Sequence, residues 1–274
     1  WGVPTVWLGL LGHMRKTEQK FTSLKRVLIG GSAAPRAMMR EFQEKYGVEG
    51  LQGWGMTEMS PIGTVSMIRP KDADLPLDRQ FDIKAKQGRA VFGVEMKIVN
   101  DDGQALPRDG KSFGELLVRG PAIISGYYEN PEASAKAFDS EGWFRTGDVS
   151  KIDPEGYMEI VDRTKDVIKS GGEWISSIDL ENEAVGHPEI AEAAVIAVHH
   201  PKWDERPLLV VVREPDSQLD KQGVIDYLSQ RVAKWWLPDD VVFVDELPHG
   251  ATGKLQKAKL REQFKDYSLP EVGG

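Results

Sequence analysis

Residues 52–58, Gln-Gly-Trp-Gly-Met-Thr-Glu, concentrate groups that can bind a phosphorylated ring compound. The two glycines let the backbone approach a ligand closely, and Trp54 offers a flat face on which a ring can stack. Thr57 can hydrogen-bond a phosphate oxygen, and Glu58 can hold Mg²⁺, a hard cation that prefers oxygen ligands. The same residues also fit a glycine-rich turn with a core tryptophan and a surface glutamate, which their composition alone favours.

Two segments further along the chain carry an acid and a base that suit a sugar. In residues 142–148, Gly-Trp-Phe-Arg-Thr-Gly-Asp, Asp148 follows a tight Thr-Gly turn. This acid can accept two hydrogen bonds from ribose hydroxyls, as acids do in nucleotide sites. In residues 160–166, Ile-Val-Asp-Arg-Thr-Lys-Asp, Arg163 supplies a rigid fork of donors. The alternative is a hairpin with a surface Asp–Arg pair, which contributes little stability.

Two more glycine-containing segments follow in the last third of the sequence. Gly171 and Gly172 can line a passage for a thin ligand or turn the chain, and the residues alone favour the turn. Residues 248–254, Pro-His-Gly-Ala-Thr-Gly-Lys, do not form a P-loop, because the glycine spacing is wrong and Leu255 stands where Ser or Thr should bind Mg²⁺. Lys254 nevertheless belongs to a basic stretch that suits a polyanion, with a solvated basic helix as the alternative. The other bases of this stretch are Lys257, Lys259, Arg261 and Lys265.

Two pairs of adjacent ring residues invite interpretation as binding groups. His199 and His200 lie in a predicted strand, where neighbouring side chains point to opposite faces, so both cannot easily bind one metal ion. Trp235 and Trp236 indicate a core or domain contact more than a ligand platform. No Ser/His/Asp arrangement is recognisable in the sequence.

The elements that must position these residues fall into three portions. Residues 25–31 predict a strand with a glycine turn, and residues 36–46 predict an amphipathic helix after Pro35 and before Gly47. Together they form half of a parallel α/β unit. From residue 67 to residue 156, short alternating runs between Asp-Gly turns predict antiparallel strands.

The third portion, after Arg163, predicts a small α+β domain. Its expected strands are residues 191–199, 208–213 and 241–246, and its expected helices are residues 179–185, 221–234 and 255–267.

Composition limits the classes of function. A length of 274 residues suits about two domains. The net charge of −8 argues against a general nucleic-acid or anionic-membrane surface. No apolar run approaches the ~18 residues that a membrane span needs. The absence of Cys excludes disulfides, thiolate catalysis and Cys-ligated metals, and fits a reducing compartment. We therefore expect a cytoplasmic protein with no visible signal peptide.

Five motifs in order resemble the adenylate-forming superfamily, which comprises acyl-CoA synthetases, adenylation domains and firefly-type luciferases. The resemblance runs through essentially the whole chain, and residues 172–182 and 200–206 look most like the fatty-acyl-CoA ligase branch, which includes 3-methylmercaptopropionate CoA ligases. The five motifs are residues 30–35, 53–58, 143–148, 162–172 and 248–254.

The resemblance implies a reaction in two steps. A carboxylic acid attacks the α-phosphate of Mg·ATP to give acyl-AMP and pyrophosphate, and the CoA thiol then displaces AMP. ATP, Mg²⁺ and CoA are thus the implied small molecules, together with the acid, and no nucleic acid is implied. The chain length of the acid and the oligomeric state are not indicated.

The resemblance also implies a role for each matching residue. Adenine would be framed by Gly31, Ser32, Ala33 and Trp54, and the ribose would be held by Asp148 and Arg163. Thr57 would meet the α-phosphate and Glu58 the Mg²⁺. Lys254 would reach the α-phosphate and the acyl carboxylate in the first step, where it stabilises developing negative charge. Lys165 would be the hinge, and Gly171, Gly172 and Trp174 would face the passage for CoA.

The family's phosphate loop lies before position 1, so the sequence resembles the second half of such an enzyme, entered midway at Trp1. The expected fold is part of the large domain, residues 1–164, with an α/β portion to about 66 and a β-barrel remnant beyond it. A hinge at Lys165 and a small mobile α+β domain, residues 166–274, would follow. Two other functions stay open: a non-catalytic nucleotide-binding module, and an adenylation domain that serves a carrier protein.

Overall fold

The computed structural model describes residues 1–31, 34–250 and 255–270. The chain forms two compact units, Trp1–Ile160 and Val161–Gly274. The helices are α1 Pro4–Thr17, α2 Arg36–Tyr46, α3 Leu77–Lys84, α4 Pro131–Ala137, α5 Ser177–Val185, α6 Lys221–Ser229 and α7 Lys257–Gln263. The strands are β1 Arg26–Ile29, β2 Glu49–Gly55, β3 Ile62–Val65, β4 Arg89–Ala90, β5 Glu95–Val99, β6 Phe113–Arg119, β7 Phe144–Ile152, β8 Met158–Arg163, β9 Ile168–Ser170, β10 Glu173–Ile175, β11 Ile190–His200, β12 Asp204–Arg213 and β13 Asp240–Phe243.

After helix α1, the first unit contains the predicted strand and helix, β1 and α2, and a second parallel strand, β2, completes a β–α–β arrangement. Strands β1 and β2 pair in parallel, and β3 and β4 extend the sheet in antiparallel fashion. Helix α2 connects β1 to β2 and buries an apolar face that includes Met39 and Phe42 against Val27 and Ile29. It ends at Gly47, whose φ of +63° closes the helix in the left-handed conformation that glycine adopts without strain. The predicted bounds of α2 are therefore confirmed.

A second sheet of four strands, in the order β5-β6-β7-β8, follows in the sequence. Its pairs β5–β6 and β6–β7 are antiparallel, as the alternating runs predicted. One face packs Ile98, Leu116 and Phe144 into a core that also receives Trp54. The expected β-barrel remnant is wrong for the described residues, because these strands form an open four-stranded sheet whose buried face this core covers.

The second unit is a mixed sheet with helices on both faces. Strands follow the order β10-β9-β12-β11, and β13 pairs in parallel with β12. Alternate residues of β11 enter two cores: Val195 packs with α5 and α6, whereas Ile196 packs with Leu260 of α7. Burial on both faces explains why β11 and β12 carry nearly continuous apolar runs.

Two helices of this unit are shorter than their sequences predicted. Helix α6 ends at Ser229, the residue after its last buried side chain, Leu228. A short 3₁₀ turn, Lys234–Trp236, then follows. Helix α7 covers Lys257–Gln263 rather than all of residues 255–267. In both cases the sequence continues a helical pattern beyond the residue at which the helix ends.

Candidate active site

The glycine turn after β1 lies beside β2, at the carboxyl ends of two parallel strands. Such edges are where open α/β sheets bind ligands. Gly31 has a φ of +85°, a conformation that few other residues adopt. The amide of Ala34 donates to Oε1 of buried Gln52 at 3.0 Å and so fastens the turn to β2. Ser32 and Ala33, which the resemblance places against adenine, lie outside the described residues.

The chain makes a tight corner where β2 ends. A Cβ at Gly55 would lie 1.9 Å from the carbonyl oxygen of Pro61, so only glycine fits there. A single 3₁₀ turn, Thr57–Met59, follows and leaves Thr57 exposed and Glu58 half-buried. The corner therefore presents a hydroxyl and a carboxylate side by side just beyond the sheet edge.

Glu58 is contacted by a phenol rather than by a base. The hydroxyl of Tyr127 donates to Oε1 of Glu58 at 3.1 Å. Burial, and then this hydrogen bond, raise the pKa of Tyr127. A phenol is protonated at neutral pH even at its ordinary pKa, so Tyr127 acts as the donor.

The carboxylate of Glu58 fits the role of a Mg²⁺ ligand. In residues 1–31, 34–250 and 255–270 no lysine or arginine forms an ion pair with it. The same residues contain no cluster of three or more metal-ligating side chains. A carboxylate without a paired base suits Mg²⁺, which often takes one or two carboxylates and completes its shell with phosphates and water. Binding of Mg²⁺ by Glu58 stays a prediction.

Trp54 is a core residue, as the plainer interpretation of its segment held. Its side chain is 8% exposed and packs with Met59, Met96 and Phe144. Its indole N–H donates to Oδ2 of Asp148 at 2.8 Å. The structure thus brings together two residues that lie 94 positions apart and that were both predicted to contact one nucleoside. Framing of adenine by Trp54 stays a prediction.

Asp148 lies at an irregularity in β7 rather than after a hairpin turn. The register against β6 shifts between Glu115 and Leu117, which is the mark of a β-bulge. Gly147 takes a φ of +71° there, and the Thr146 hydroxyl bridges the Leu116 carbonyl and the Asp148 amide. Asp148 is only 2% exposed. The alternative of a surface Asp–Arg pair is therefore wrong for Asp148, because this acid is buried.

Arg163 and Lys165 belong to the second unit, and both are exposed. Lys165 lies in the turn between β8 and β9, where the amides of Asp166 and Val167 both bond the carbonyl of Arg163 at 2.9 Å. The contact with ribose and the hinge stay predictions.

Gly171 and Gly172 form the two-residue tip of the β9–β10 hairpin. Ser170 pairs with Glu173, and both glycines have positive φ, +59° and +87°, as a type I′ turn requires. The favoured interpretation as a turn is confirmed. A Cβ at Gly171 would lie 2.7 Å from the ring of Trp203, whose carbonyl accepts the Gly171 amide at 2.8 Å. Trp174 follows the tip, with the ammonium of Lys169 at 4.8 Å from its ring.

A groove of about 1070 Å³ opens beside this hairpin within the second unit. Sequence reasoning missed it, because its walls come from four separate segments. Arg206 is not available as a ligand there, since it bonds Asp239 and the carbonyls of Trp235 and Leu237. The groove is lined by Gly171, His199, Lys202, Trp203, Trp235 and Lys265, among others.

The predicted basic patch is only partly available to a polyanion. Lys257 is largely buried, donates to Ser177 Oγ at 2.6 Å and pairs with Glu181 at 2.6 Å. Arg261 pairs with Asp166. The prediction that these two bases belong to a solvated patch is therefore wrong, because both form ion pairs with acids of the same unit.

A buried acid completes this network. Asp162, 1% exposed, accepts the amide and hydroxyl of Ser177 at 2.6 and 2.7 Å. Burial raises the pKa of both Asp162 and Glu181, while the Lys257 ammonium opposes that rise. The network was not predicted, since an amphipathic pattern does not separate a solvated base from a paired one.

Lys254, with residues 251–253, lies outside the described residues. The residues on either side of this gap are held together. His249 and Leu255 form a β-bridge, and the amide of Gln256 donates to the Pro248 carbonyl at 2.8 Å. The position of the Lys254 side chain stays a prediction.

Comparison with known protein families agrees with this fold. The family model for AMP-binding enzymes matches residues 1–128, and the model for the C-terminal domain of AMP-binding enzymes matches residues 179–254. The chain belongs to the AMP-binding enzyme family.

Similar proteins with curated names are CoA ligases. The chain is 52% identical over 97% of its length to 3-methylmercaptopropionyl-CoA ligase of Ruegeria lacuscaerulensis, and 50% identical over 98% to a medium-chain-fatty-acid–CoA ligase of Ectopseudomonas oleovorans. It covers 49% and 48% of those two proteins, so it spans about half the length of these relatives. The ATP-bound crystal structure of MatB from Rhodopseudomonas palustris matches 97% of this chain with a TM-score of 0.75 at 33% identity, and half of that chain is covered.

Among the described residues, no helix is long and apolar enough to cross a membrane.

Proposed function

We propose that this chain is the C-terminal half of an AMP-forming acyl-CoA ligase that acts on a fatty or related aliphatic acid. Two observations together carry the proposal. The two family models match this chain in order, one before β8 and one after it, and the chain is 50–52% identical in sequence to named CoA ligases. The corner at Thr57 and Glu58, just beyond the parallel strands, supports a phosphate site.

The first unit would bind the nucleotide. Thr57 is exposed and can donate to an α-phosphate oxygen, and Glu58 would hold the Mg²⁺, which neutralises phosphate charge when bound. Asp148, oriented by the bulge and by the Trp54 indole, would accept the ribose hydroxyls. Because Trp54 is packed in the core, its contribution to adenine binding would come from one ring edge or face rather than from a freely exposed platform.

The second unit would serve the CoA step. The glycine tip of the β9–β10 hairpin has no side chain that could obstruct a thin pantetheine arm. The groove beside it carries the cations of Lys202 and Lys265 and the indoles of Trp203 and Trp235. Cations and flat rings suit the phosphates and the base of CoA. Gly171, Gly172 and Trp174 would line the entrance.

Lys165 would act as the hinge, and Lys254 would approach the α-phosphate only during adenylation. The exposed position of Lys165, in a turn between two strands, supports the hinge, since hinges are a few loop residues that absorb changes of dihedral angle. Movement of the Lys254 side chain away from the α-phosphate after the first step would make room for the thiol of CoA.

A second candidate function is nucleotide binding without turnover by this chain alone, which its half-length match to the relatives favours. The two functions differ in pyrophosphate release. We expect this chain alone to bind AMP without ATP–pyrophosphate exchange. The complete enzyme, meaning this chain together with the N-terminal half that its relatives carry, should exchange pyrophosphate with a subset of carboxylates.

A screen of carboxylic acids of increasing chain length, in the presence of ATP and labelled pyrophosphate, tests this proposal. Exchange that depends on the acid supports a ligase, and its length preference names the acid class. Absence of exchange with every acid, despite bound AMP, would leave the nucleotide-binding module as the better account.

A further inference from the structure

The segment 120–127 contacts the Glu58 corner at three points. The Ile124 amide donates to the Glu58 carbonyl at 2.9 Å, and the Ser60 hydroxyl donates to the Ala122 carbonyl at 3.0 Å. The third contact is the hydrogen bond from Tyr127 to Glu58 Oε1 at 3.1 Å. One loop therefore holds both the backbone and the carboxylate of the same residue.

Tyr127 is itself held from the other side by α4. Its amide donates to Ser134 Oγ at 2.8 Å, and that hydroxyl donates onward to the Asn130 carbonyl at 2.7 Å. Asn130 also caps α4, because its side chain accepts the Ala133 amide at 3.0 Å. A Cβ at Gly126 would come within 3.1 Å of Ser134 Oγ, so the loop packs tightly where Tyr127 begins.

We infer that Tyr127 is a positioning residue that fixes the Glu58 carboxylate in the orientation needed to receive the divalent cation of ATP. The inference rests on the proposed function and deepens its first step. A glutamate on a surface corner has several accessible rotamers. The phenol of Tyr127, held through Ser134 and the loop, selects one of them by binding a single oxygen.

The chemistry of the donor matters to this role. A lysine or arginine at the same place would neutralise the carboxylate and compete with the cation. A neutral phenol orients the carboxylate and leaves its charge available. Hydrogen-bond partners of metal ligands act in this way, and their loss typically reduces metal affinity or activity about 10–100-fold.

The chain offers a matched control in the adjacent residue. Tyr128 is 90% exposed, whereas Tyr127 is 38% exposed and contacts Glu58. Tyr127→Phe and Tyr128→Phe remove the same atom from neighbouring positions. We expect Tyr127→Phe in the complete enzyme to weaken binding of the metal by about 10-fold, and Tyr128→Phe to leave it unchanged.

The direct readout is Mn²⁺ binding in the presence of ATP, followed by the paramagnetic resonance of the enzyme-bound ion and compared with Mn·ATP without enzyme, because ATP itself binds Mn²⁺. AMP affinity without metal, measured by calorimetry, should be equal in the wild type and both variants, since Tyr127 would act on the metal ligand alone. Thioester formation from supplied acyl-AMP should also be unchanged. A general loss of structure would instead lower all three quantities.

A double variant separates positioning from a direct contact with substrate. In a Glu58→Gln background, Tyr127→Phe should cause no further loss of Mn²⁺ affinity, because the group that it orients has been changed. Equal Mn²⁺ affinity of Tyr127→Phe and Tyr128→Phe would overturn the inference, as would an undiminished effect in the Glu58→Gln background. A failure of the proposed function differs from a failure of this inference, because the wild-type enzyme would then show no ATP–pyrophosphate exchange with any acid.

Discussion

Asp148 accepts the indole N–H of Trp54 at 2.8 Å while it is almost completely buried. At the scale of single residues, this contact means that the Asp148 carboxylate stabilises the core in addition to its proposed role in ligand binding. Glu58 is different, because its carboxylate is half-exposed and its neighbour is the phenol of Tyr127. The effect of an Asp148 substitution on ligand binding must therefore be separated from its effect on stability. A substitution at Glu58 reports more directly on ligand binding.

Asp148→Ala should weaken the binding of ATP and AMP alike, because both carry the ribose. The loss of a charged hydrogen-bond partner typically costs about 1.5–3 kcal/mol. Calorimetric titration of AMP into the complete enzyme measures this loss. The matched control is Trp54→Phe, which removes the indole donor to Asp148 but keeps an aromatic ring. If both variants lost stability equally and neither lost AMP affinity, Asp148 would be a structural acid only.

Lys254→Ala should reduce adenylation by about 10²–10³-fold, the typical effect of removing one group that stabilises transition-state charge. Thioester formation from supplied acyl-AMP should be retained, because Lys254 is assigned to the first step alone. Lys259→Ala on the same basic stretch is the control, since Lys259 is an exposed residue of α7. The two half-reactions are measured separately, and an equal loss in both would contradict the assignment.

At the scale of elements, helix α7 is attached to the region next to the predicted hinge. Lys257 reaches Ser177 and Glu181, and Arg261 pairs with Asp166, the residue after Lys165. The helix that follows residues 251–254 is thus held to the β8–β9 turn within the second unit. We expect this helix and that turn to move together whenever the hinge dihedral angles change.

Lys165→Pro tests the hinge directly. Proline fixes φ near −65° and restricts the preceding residue, Thr164, so the turn should be held in one conformation. Because the two half-reactions need different conformations in the proposed function, the variant should retain one of them and lose the other. Pyrophosphate exchange and thioester formation are assayed separately in the complete enzyme, with Lys165→Ala, which shortens the side chain without fixing φ, as the control. Wild-type rates in both assays would show that Lys165 is not the hinge.

Tyr267 and Asp240 hold the segment after α7 against β13. Burial, and then the hydrogen bond to the Asp240 carboxylate, raise the pKa of Tyr267 to about 12, above its ordinary value of 10.0. A raised pKa in the folded state means that the contribution is complete below pH 10 and is lost as the pH rises to about 12. Because Tyr267 is partly exposed to solvent, we expect about 1 kcal/mol rather than the full value of the shift.

Urea unfolding of this chain at pH 9 and at pH 11.5 measures that contribution. The wild type should lose about 1 kcal/mol more stability than Tyr267→Phe across this interval, while Tyr128→Phe should behave as the wild type does. A parallel decline in wild type and Tyr267→Phe would show that the Asp240 contact contributes no alkaline dependence.

The sequence predicted elements whose ends are marked by local residues such as proline and glycine. It missed contacts between residues that lie far apart in the sequence. Pro35 and Gly47 delimit α2 correctly, and the glycine pair at 171–172 indicated a turn, because positive φ is a local property. The contact of Trp54 with Asp148 joins residues from β2 and β7, and no local pattern indicates it. The burial of Lys257 was missed for the same reason, since its acids lie on another helix.

At the scale of the whole molecule, the chain combines two compact units, and each has a core of its own. The first unit carries the predicted nucleotide residues, apart from Arg163, and the second carries the hairpin, the groove and the α7 network. The chain spans about half of the relatives that it matches, so the proposed activity belongs to the complete enzyme. If each unit serves a different half-reaction, as we propose, single substitutions should affect the two half-reactions separately.

Product analysis of the complete enzyme with an aliphatic acid, Mg·ATP and CoA tests the central proposal most directly. We predict that acyl-CoA, AMP and pyrophosphate appear in equal amounts, and that omission of CoA leaves acyl-AMP on the enzyme. Formation of ADP and phosphate, or release of AMP without any thioester, would contradict the assignment of this chain to an AMP-forming acyl-CoA ligase.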